Sequence, residues 1–277
     1  MPLDHAATHT RVTVIIPAWG GYSGELLDRA VNSVHRASSQ NVYILIVDNA
    51  NEPPLTLPSC RMVRTDTRLA LGAARNLGLR QARSEYVLFL DADDELVPGA
   101  IDMMLEELAR HAPAHRRPLL VSASLIDPAS GTPYHWPYPW MRAMTAHPAL
   151  FQLLESARPS FPVNGSLIDR RAAASTAGYD NDPTSAEDWT FGVSLAWACC
   201  VIPDRAPTLV YAPAPDGVWA RNDKFSKHLD HRKCIRRRLR SDDTVAWWLR
   251  VLIPLLAVLH TIDACREVTQ SRWRSRH

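Results

Sequence analysis

Glycine-rich phosphate loops are missing from this sequence. Gly20, Gly21 and Gly24 follow the first apolar run, but their spacing is not G-x-G-x-x-G, and no G-x-x-x-x-G-K-[ST] occurs. That argues against a nicotinamide enzyme and against a P-loop ATPase. Cysteine pairs at metal-ligand spacing are missing too: the five cysteines stand at 60, 199, 200, 234 and 265. An odd, scattered set fits the reduced thiols of a cytosol. The N-terminus has neither the basic patch nor the apolar core of a signal peptide. Net charge is only +2, which gives no general case for a nucleic-acid partner. Glycine is scarce, 11 residues against 21 prolines, so the connections are stiff. There is no internal repeat or low-complexity tract.

What is present suits a globular enzyme. A chain of 277 residues, 46% apolar and 22% charged, can bury a core as one large or two small domains. Its most informative stretch is Tyr86–Asp94, an apolar run that ends in three carboxylates within four positions. The run reads as a buried strand. If extended geometry persists, Asp91 and Asp93 project to one side. Carboxylates so close repel each other, and a divalent cation with oxygen ligands relieves that repulsion. An acidic turn before Pro98-Gly99 is the plain alternative.

The flanking pattern gives that strand a setting. Strands are expected at Val12–Pro17, Val42–Val47, around Met62-Val63 and at Tyr86–Leu90. Helices are expected over 24–38, over Leu69–Ala82 and from Pro98, in the first turn, to about Arg110. This alternation is the grammar of a mostly parallel α/β sheet covered on both faces. Ligands of such sheets gather beyond the carboxyl ends of the strands. Pro17-Ala18-Trp19, Asp48 and Asp91-Ala92-Asp93 all fall there, so parallel strands would set them on one rim. Each Asp singly could also be a helix cap.

Four blocks in order, Val-Thr-Val-Ile-Ile-Pro (12–17), Ile-Leu-Ile-Val-Asp (44–48), Gly-Ala-Ala-Arg-Asn-Leu-Gly (72–78) and Phe-Leu-Asp-Ala-Asp-Asp (89–94), resemble the family 2 glycosyltransferases of GT-A fold. The resemblance covers roughly residues 10–112. It implies a nucleotide-sugar transferase in which Pro17, Ala18, Trp19 and Asp48 hold the nucleobase. Trp19 stands where the family has another aromatic. Asp91 would meet the ribose, Asp93 would bind Mn2+ or Mg2+, with Asp91 beside it, and Arg75 and Asn76 would support the pyrophosphate side. Gly20-Gly21 and Asn49-Ala50-Asn51 depart from the family pattern and bear on nucleobase choice.

In the second half, Pro118–Ile126 reads as one strand. Residues 133–140, with three prolines, two tyrosines and two tryptophans, form either a sugar-stacking loop or a stiff core edge. Pro162–Arg171 and Gly178-Tyr179-Asp180 resemble the family's acceptor side. Glu187-Asp188 opens an apolar helix-like stretch, where acidic residues are favoured by the helix dipole whatever their function. By resemblance Asp188 is the general base and Glu187 its orienting neighbour. A positioned carboxylate can take the proton an acceptor hydroxyl loses as it attacks the anomeric carbon. Val218–Ser226 resembles a late active-site loop in which Arg221 or Lys224 faces the diphosphate. No Q-x-x-R-W occurs, which in this family marks processive polymerases, so one sugar per acceptor is expected.

From His231 to Arg240 six of ten residues are Lys or Arg, followed by Trp247-Trp248 and the apolar run Val251–Leu259. A membrane span needs about 20 apolar residues. Arg250, Pro254, His260 and Asp263 interrupt the window, and a central charge costs about 2.5–3.5 kcal/mol. A transmembrane helix is rejected. Three readings stay open for 231–262: contact with an anionic membrane surface, packing on the catalytic domain, or a homodimer interface. Nucleic acid is not expected, since no reading helix accompanies the basic run.

The expectation is therefore a GT-A-like catalytic domain over 1–225, with a nucleotide-sugar half at 10–112 and an acceptor half at 113–225. A helical extension follows over 226–277. The chain would act in the cytoplasm or at the inner face of the membrane, moving a sugar from a nucleotide donor, a UDP-sugar foremost, to an acceptor hydroxyl with inversion and metal assistance. The acceptor could be a saccharide, a lipid-linked saccharide or a natural product. The alternatives are a nucleotidyltransferase, or an inactive scaffold that binds sugar nucleotides.

Overall fold

The computed structural model describes residues 10–114, 117–127, 131, 147–157, 160–181, 186–203, 206–211 and 224–274. β1 (Val12–Ala18) is buried at every position, as β-branched residues without alternation require of a strand covered on both faces. Helix α1 (Glu25–Ala37) turns Leu27, Ala30, Val31 and Val34 inward. It leads into β2 (Tyr43–Asn49) and β3 (Arg61–Thr65). Helix α2 (Leu71–Gln81) follows, then β4 (Tyr86–Phe89), the two-residue β5 (Glu95–Leu96) and helix α3 (Ala100–His111).

The expected elements are present, with shifted ends. Pro98 lies outside α3, because Gly99 at φ 76° turns the chain and caps the helix. The glycines inside α2 have a packing reason. A Cβ on Gly78 would collide with Ile15 of β1, and one on Gly72 would collide with the carbonyl oxygen of Asp180. The helix can therefore lie close to both the sheet and the second half of the chain.

Downstream come β6 (Leu119–Ser122), β7 (Leu125–Ile126), helix α4 (Pro148–Ala157), β8 (Leu167–Asp169) and helix α5 (Arg170–Ser175). Helix α6 (Glu187–Ala198), β9 (Cys200–Pro203) and β10 (Leu209–Val210) complete the α/β part. The expectation of one strand over 118–126 is corrected. The chain leaves the main sheet at Ala123-Ser124, where Thr208 accepts from and donates to the Ser124 backbone, and β7 pairs with β10 in a second sheet.

The main sheet has the order β3-β2-β1-β4-β8-β6-β9. Only β8 runs against its neighbours, so the sheet is mostly parallel as expected. One apolar cluster fills the face under α1 and α3, another the face under α2, α5 and α6. Each large aliphatic side chain withdrawn from water there contributes about 1.5–3 kcal/mol.

The C-terminal extension is helix α7 (Lys224–Ser241), helix α8 (Trp247–Val251) and helix α9 (Ile253–Arg274). It packs on the α/β part through a third cluster in which Val193 and Trp197 of α6 meet Ile235, Leu239, Leu249, Ile253 and Leu256. Asp242 accepts from the Ser194 hydroxyl of α6. Among the described residues, no helix is long and apolar enough to cross a membrane.

Candidate active site

Register sets the rim. Ala18 pairs with Asp48 and Asp48 with Arg64, so the ends of β1, β2 and β3 are level. Beyond β1 and β2 opens a cleft of about 470 Å³ lined by Trp19, Asn51, Pro54, Leu55 and Arg68 among others. Trp19 lies 4.9 Å from the Tyr22 ring, and the Arg68 guanidinium sits 5.5 Å above its indole. A flat aromatic with a cation over one face is a stacking surface for a planar base. Pro17 and Ala18 are buried in the strand behind it.

Asp48 is placed differently from a ligand-reading group. It is 2% exposed. Its carboxylate accepts from the Asn51 amide N–H at 3.0 Å and Nδ2 at 2.7 Å, from the Leu55 N–H at 3.1 Å and from Arg64 Nη1 at 3.0 Å. Burial alone would raise its pKa, but these donors outweigh that and hold it below the usual carboxylate range. Asp48 fastens the loop that walls the cleft.

The carboxylates after β4 converge by a route other than the one expected. The strand ends at Phe89, and a turn with Asp94 N–H donating to the Asp91 carbonyl at 3.1 Å replaces extended geometry. Alternation of faces therefore does not set their directions. The turn gathers oxygens of Asp91, Asp93 and Asp94 within 4.8 Å of one another. Ala92 between them is buried. Burial and then the neighbouring Asp91 charge push Asp93 up to about 6. A cation would lower both costs, so a hard, oxygen-bound divalent ion fits this donor set.

One residue that sequence reasoning did not single out, Asn164, holds the turn. Asn164 accepts from the Asp91 N–H at 3.0 Å and donates from Nδ2 to Asp94 at 2.5 Å. Asp94 itself is 1% exposed. The sequence signals for Asn164 are its place in the Pro162–Arg171 block and before Gly165, whose N–H donates to the Phe89 carbonyl at 2.7 Å.

Arg75 joins the halves of the site. It is 1% exposed. Nη2 donates to Asp91 at 2.5 Å and Nη1 to Asp188 at 2.8 Å, with Glu187 3.8 Å away. The guanidinium lies 5.1 Å over the Tyr179 ring. Burial would lower its pKa, but Asp188, Asp91 and Glu187 hold it well above the ordinary value. Asn76, beside it on α2, clasps the Tyr179 backbone, donating to its carbonyl and accepting its N–H, both at 2.9 Å. Asp180 accepts from Arg238 of α7 at 2.9 Å.

Glu187 and Asp188 open α6, as their first-turn position predicts. The Asp188 side chain remains 41% exposed. Burial raises the pKa of both, Asp188 further raising Glu187, while Arg75 opposes the rise at each. Glu187 Oε2, Arg75 Nε and the Tyr179 hydroxyl are buried without a hydrogen-bond partner among the described residues. Arg221 and the aromatic segment 133–140 lie outside the described residues, as does the side chain of Lys224.

The comparisons agree with this architecture. The family model for glycosyl transferase family 2 matches residues 13–117. Succinoglycan biosynthesis protein ExoO of Rhizobium meliloti (strain 1021) is 28% identical over 102 residues, 34% of this chain and 29% of ExoO. The GalNAc(5)-diNAcBac-PP-undecaprenol beta-1,3-glucosyltransferase of Campylobacter jejuni is 26% identical over 107 residues, 35% of this chain and 34% of that protein. The chain thus spans about a third of these relatives. Staphylococcus aureus TarS 1-349, crystallised with UDP-GlcNAc, superimposes with TM-score 0.56 at 16% identity, over 84% of this chain and 68% of TarS. That likeness is one of fold, the GT-A arrangement of a mostly parallel sheet flanked by helices. The rim and the sheet order agree with that match, and over residues 13–117 the chain is similar to glycosyl transferase family 2.

Proposed function

We propose that the chain transfers a sugar from a nucleoside diphosphate donor to an acceptor hydroxyl, with inversion at the anomeric carbon. One observation carries this reading: Arg75 holds Asp188 and Asp91 at once, 2.8 and 2.5 Å away, so one guanidinium sets a candidate base beside a carboxylate turn suited to a cation.

The base of the donor stacks on Trp19 beside Arg68. Asp48 acts behind it, keeping the loop at Asn51–Leu55 in place. Asp91, Asp93 and Asp94 are the residues that would hold Mn2+ or Mg2+, which supplies positive charge to a departing diphosphate. Asp188 accepts the acceptor hydroxyl proton while the oxygen forms its bond to the anomeric carbon. The bond from that carbon to the diphosphate oxygen breaks, releasing nucleoside diphosphate. Attack from the side opposite the leaving group inverts the centre. Glu187 orients the first turn of α6, and Arg75 fixes Asp188 toward the donor side.

A UDP-sugar is the favoured donor, since TarS is crystallised with UDP-GlcNAc on this fold. A lipid-linked saccharide is the favoured acceptor, by likeness to the Campylobacter glucosyltransferase. The test is turnover of donors labelled in the sugar and in the nucleotide. Transfer should release nucleoside diphosphate and label the acceptor. Pyrophosphate exchange would instead indicate a nucleotidyltransferase, and neither reaction would indicate a scaffold.

A further inference from the structure

Among the described residues, eight large apolar side chains are markedly exposed, and seven of them lie between residues 247 and 262. Trp247 is 76% exposed, Val251 71%, Leu255 57% and Ile262 60%. On α9 the buried side, Ile253, Leu256 and His260, faces the α/β part. His260 is fixed there by Arg236 at 3.0 Å and by the Ser156 carbonyl at 3.2 Å. At 3.6 residues per turn, Leu255, Val258, Leu259 and Ile262 occupy an arc of about 100° on the other side. This is a continuous apolar stripe, and large exposed stripes mark contact sites.

The charges beside the stripe indicate what covers it. Arg236 contacts α9, so the row Lys233, Arg236, Arg240 on α7, spaced three and four residues apart, runs along the seam between the two helices. Lys233 and Arg240 are exposed, as is Arg250 in α8. Two copies meeting through this face would bring these cations toward each other, whereas an acidic lipid surface complements them. Tryptophan at the edge of an apolar face suits the headgroup boundary. The helix is too polar to cross a bilayer, yet it has the apolar face and basic border of one lying in its surface.

We propose that the exposed face of α8 and α9 seats the protein on an anionic phospholipid bilayer. Docking there would bring the bilayer close to the α/β part, because Asp242, just after α7, is tied to Ser194 of α6 and Arg238 of α7 is tied to Asp180. Lipid binding can be read without turnover, so this proposal and the transferase reading fail separately.

The experiment is co-sedimentation of the full chain with vesicles of phosphatidylcholine alone or mixed with phosphatidylglycerol. The wild type should partition onto the mixed vesicles, and less so as salt rises. The double variant Trp247→Ser, Leu255→Ser should lose at least about tenfold in partition with its circular dichroism and melting temperature unchanged. Should that variant fold poorly, Lys233→Glu with Arg240→Glu provides a second test: it should abolish the preference for anionic vesicles. Equal partition of the wild type onto both vesicle types, or none, would overturn the proposal. So would sedimentation equilibrium showing a lipid-indifferent dimer that the apolar variant dissociates, which would make the face an interface between copies.

Discussion

Arg75 Nη1 donates to Asp188 Oδ1 at 2.8 Å across 113 residues of sequence. Its other terminal nitrogen holds Asp91, so one buried cation spans the two carboxylates that the proposed reaction would use. Lysine has the charge but not the fork. Arg75→Lys should lower kcat at least about tenfold and stability by about 1–3 kcal/mol. Arg75→Met, which leaves both carboxylates without their cation, should cost about 3–5 kcal/mol. Urea unfolding and donor turnover on the same preparations check both figures.

Metal binding should depend on pH with a definite sign. The Asp93 carboxyl holds its proton up to about 6 in the fold, against an ordinary value of 3.8. A cation must displace that proton, so Mn2+ should raise the melting temperature more at pH 7.5 than at pH 5. Without metal the linkage runs the other way. The folded state binds the proton more tightly than the unfolded chain, so the Asp93 contribution to stability falls as pH rises from about 4 to about 6. Asp93→Asn should flatten both trends in calorimetric melts.

The stacking surface makes a separate prediction. Trp19→Ala should weaken donor binding by about 1–3 kcal/mol, the usual value of a base stacked on an aromatic ring. Free nucleoside diphosphate and nucleotide sugar should weaken alike in isothermal titration, since the indole would touch the base and not the sugar.

Asp48 should behave as a structural residue. Asp48→Ala leaves two backbone N–H groups, the Asn51 amide and Arg64 without their acceptor. The expected cost is about 3 kcal/mol, visible as faster hydrogen exchange at Asn51 and Leu55 than at Val14. An unchanged exchange pattern with lost nucleotide binding would assign Asp48 to the base instead.

The first half of the fold could be read from the sequence because its main strands are apolar runs, α1 and α3 keep a clean apolar face and α2 is rich in alanine and leucine. β6 and β7 could not be separated, since the change of sheet depends on Thr208, 84 residues away from Ser124. The same limit applies in the site. The three acidic residues after β4 were visible, but the turn that gathers them relies on Asn164, which meets Asp94 across 70 residues. Arg75 and Asn76 stood out as a block. That one bridges carboxylates and the other clasps the Tyr179 backbone follows only from the close approach that Gly72 allows. The basic run at 231–240 looked uniform in sequence. In the fold Arg232 and Arg238 are buried against the α/β part, and Lys233, Arg237 and Arg240 face outward.

The most direct test of the central claim separates donor binding from chemistry in Asp188→Asn. Donor affinity with Mn2+ should stay within about twofold, because the amide keeps the shape and a hydrogen-bond acceptor for Arg75. Turnover should fall by about 10²–10⁴, the usual worth of a positioned general base. Retained turnover, or equal loss of affinity and rate, would contradict the assignment of Asp188 as the group that takes the acceptor proton.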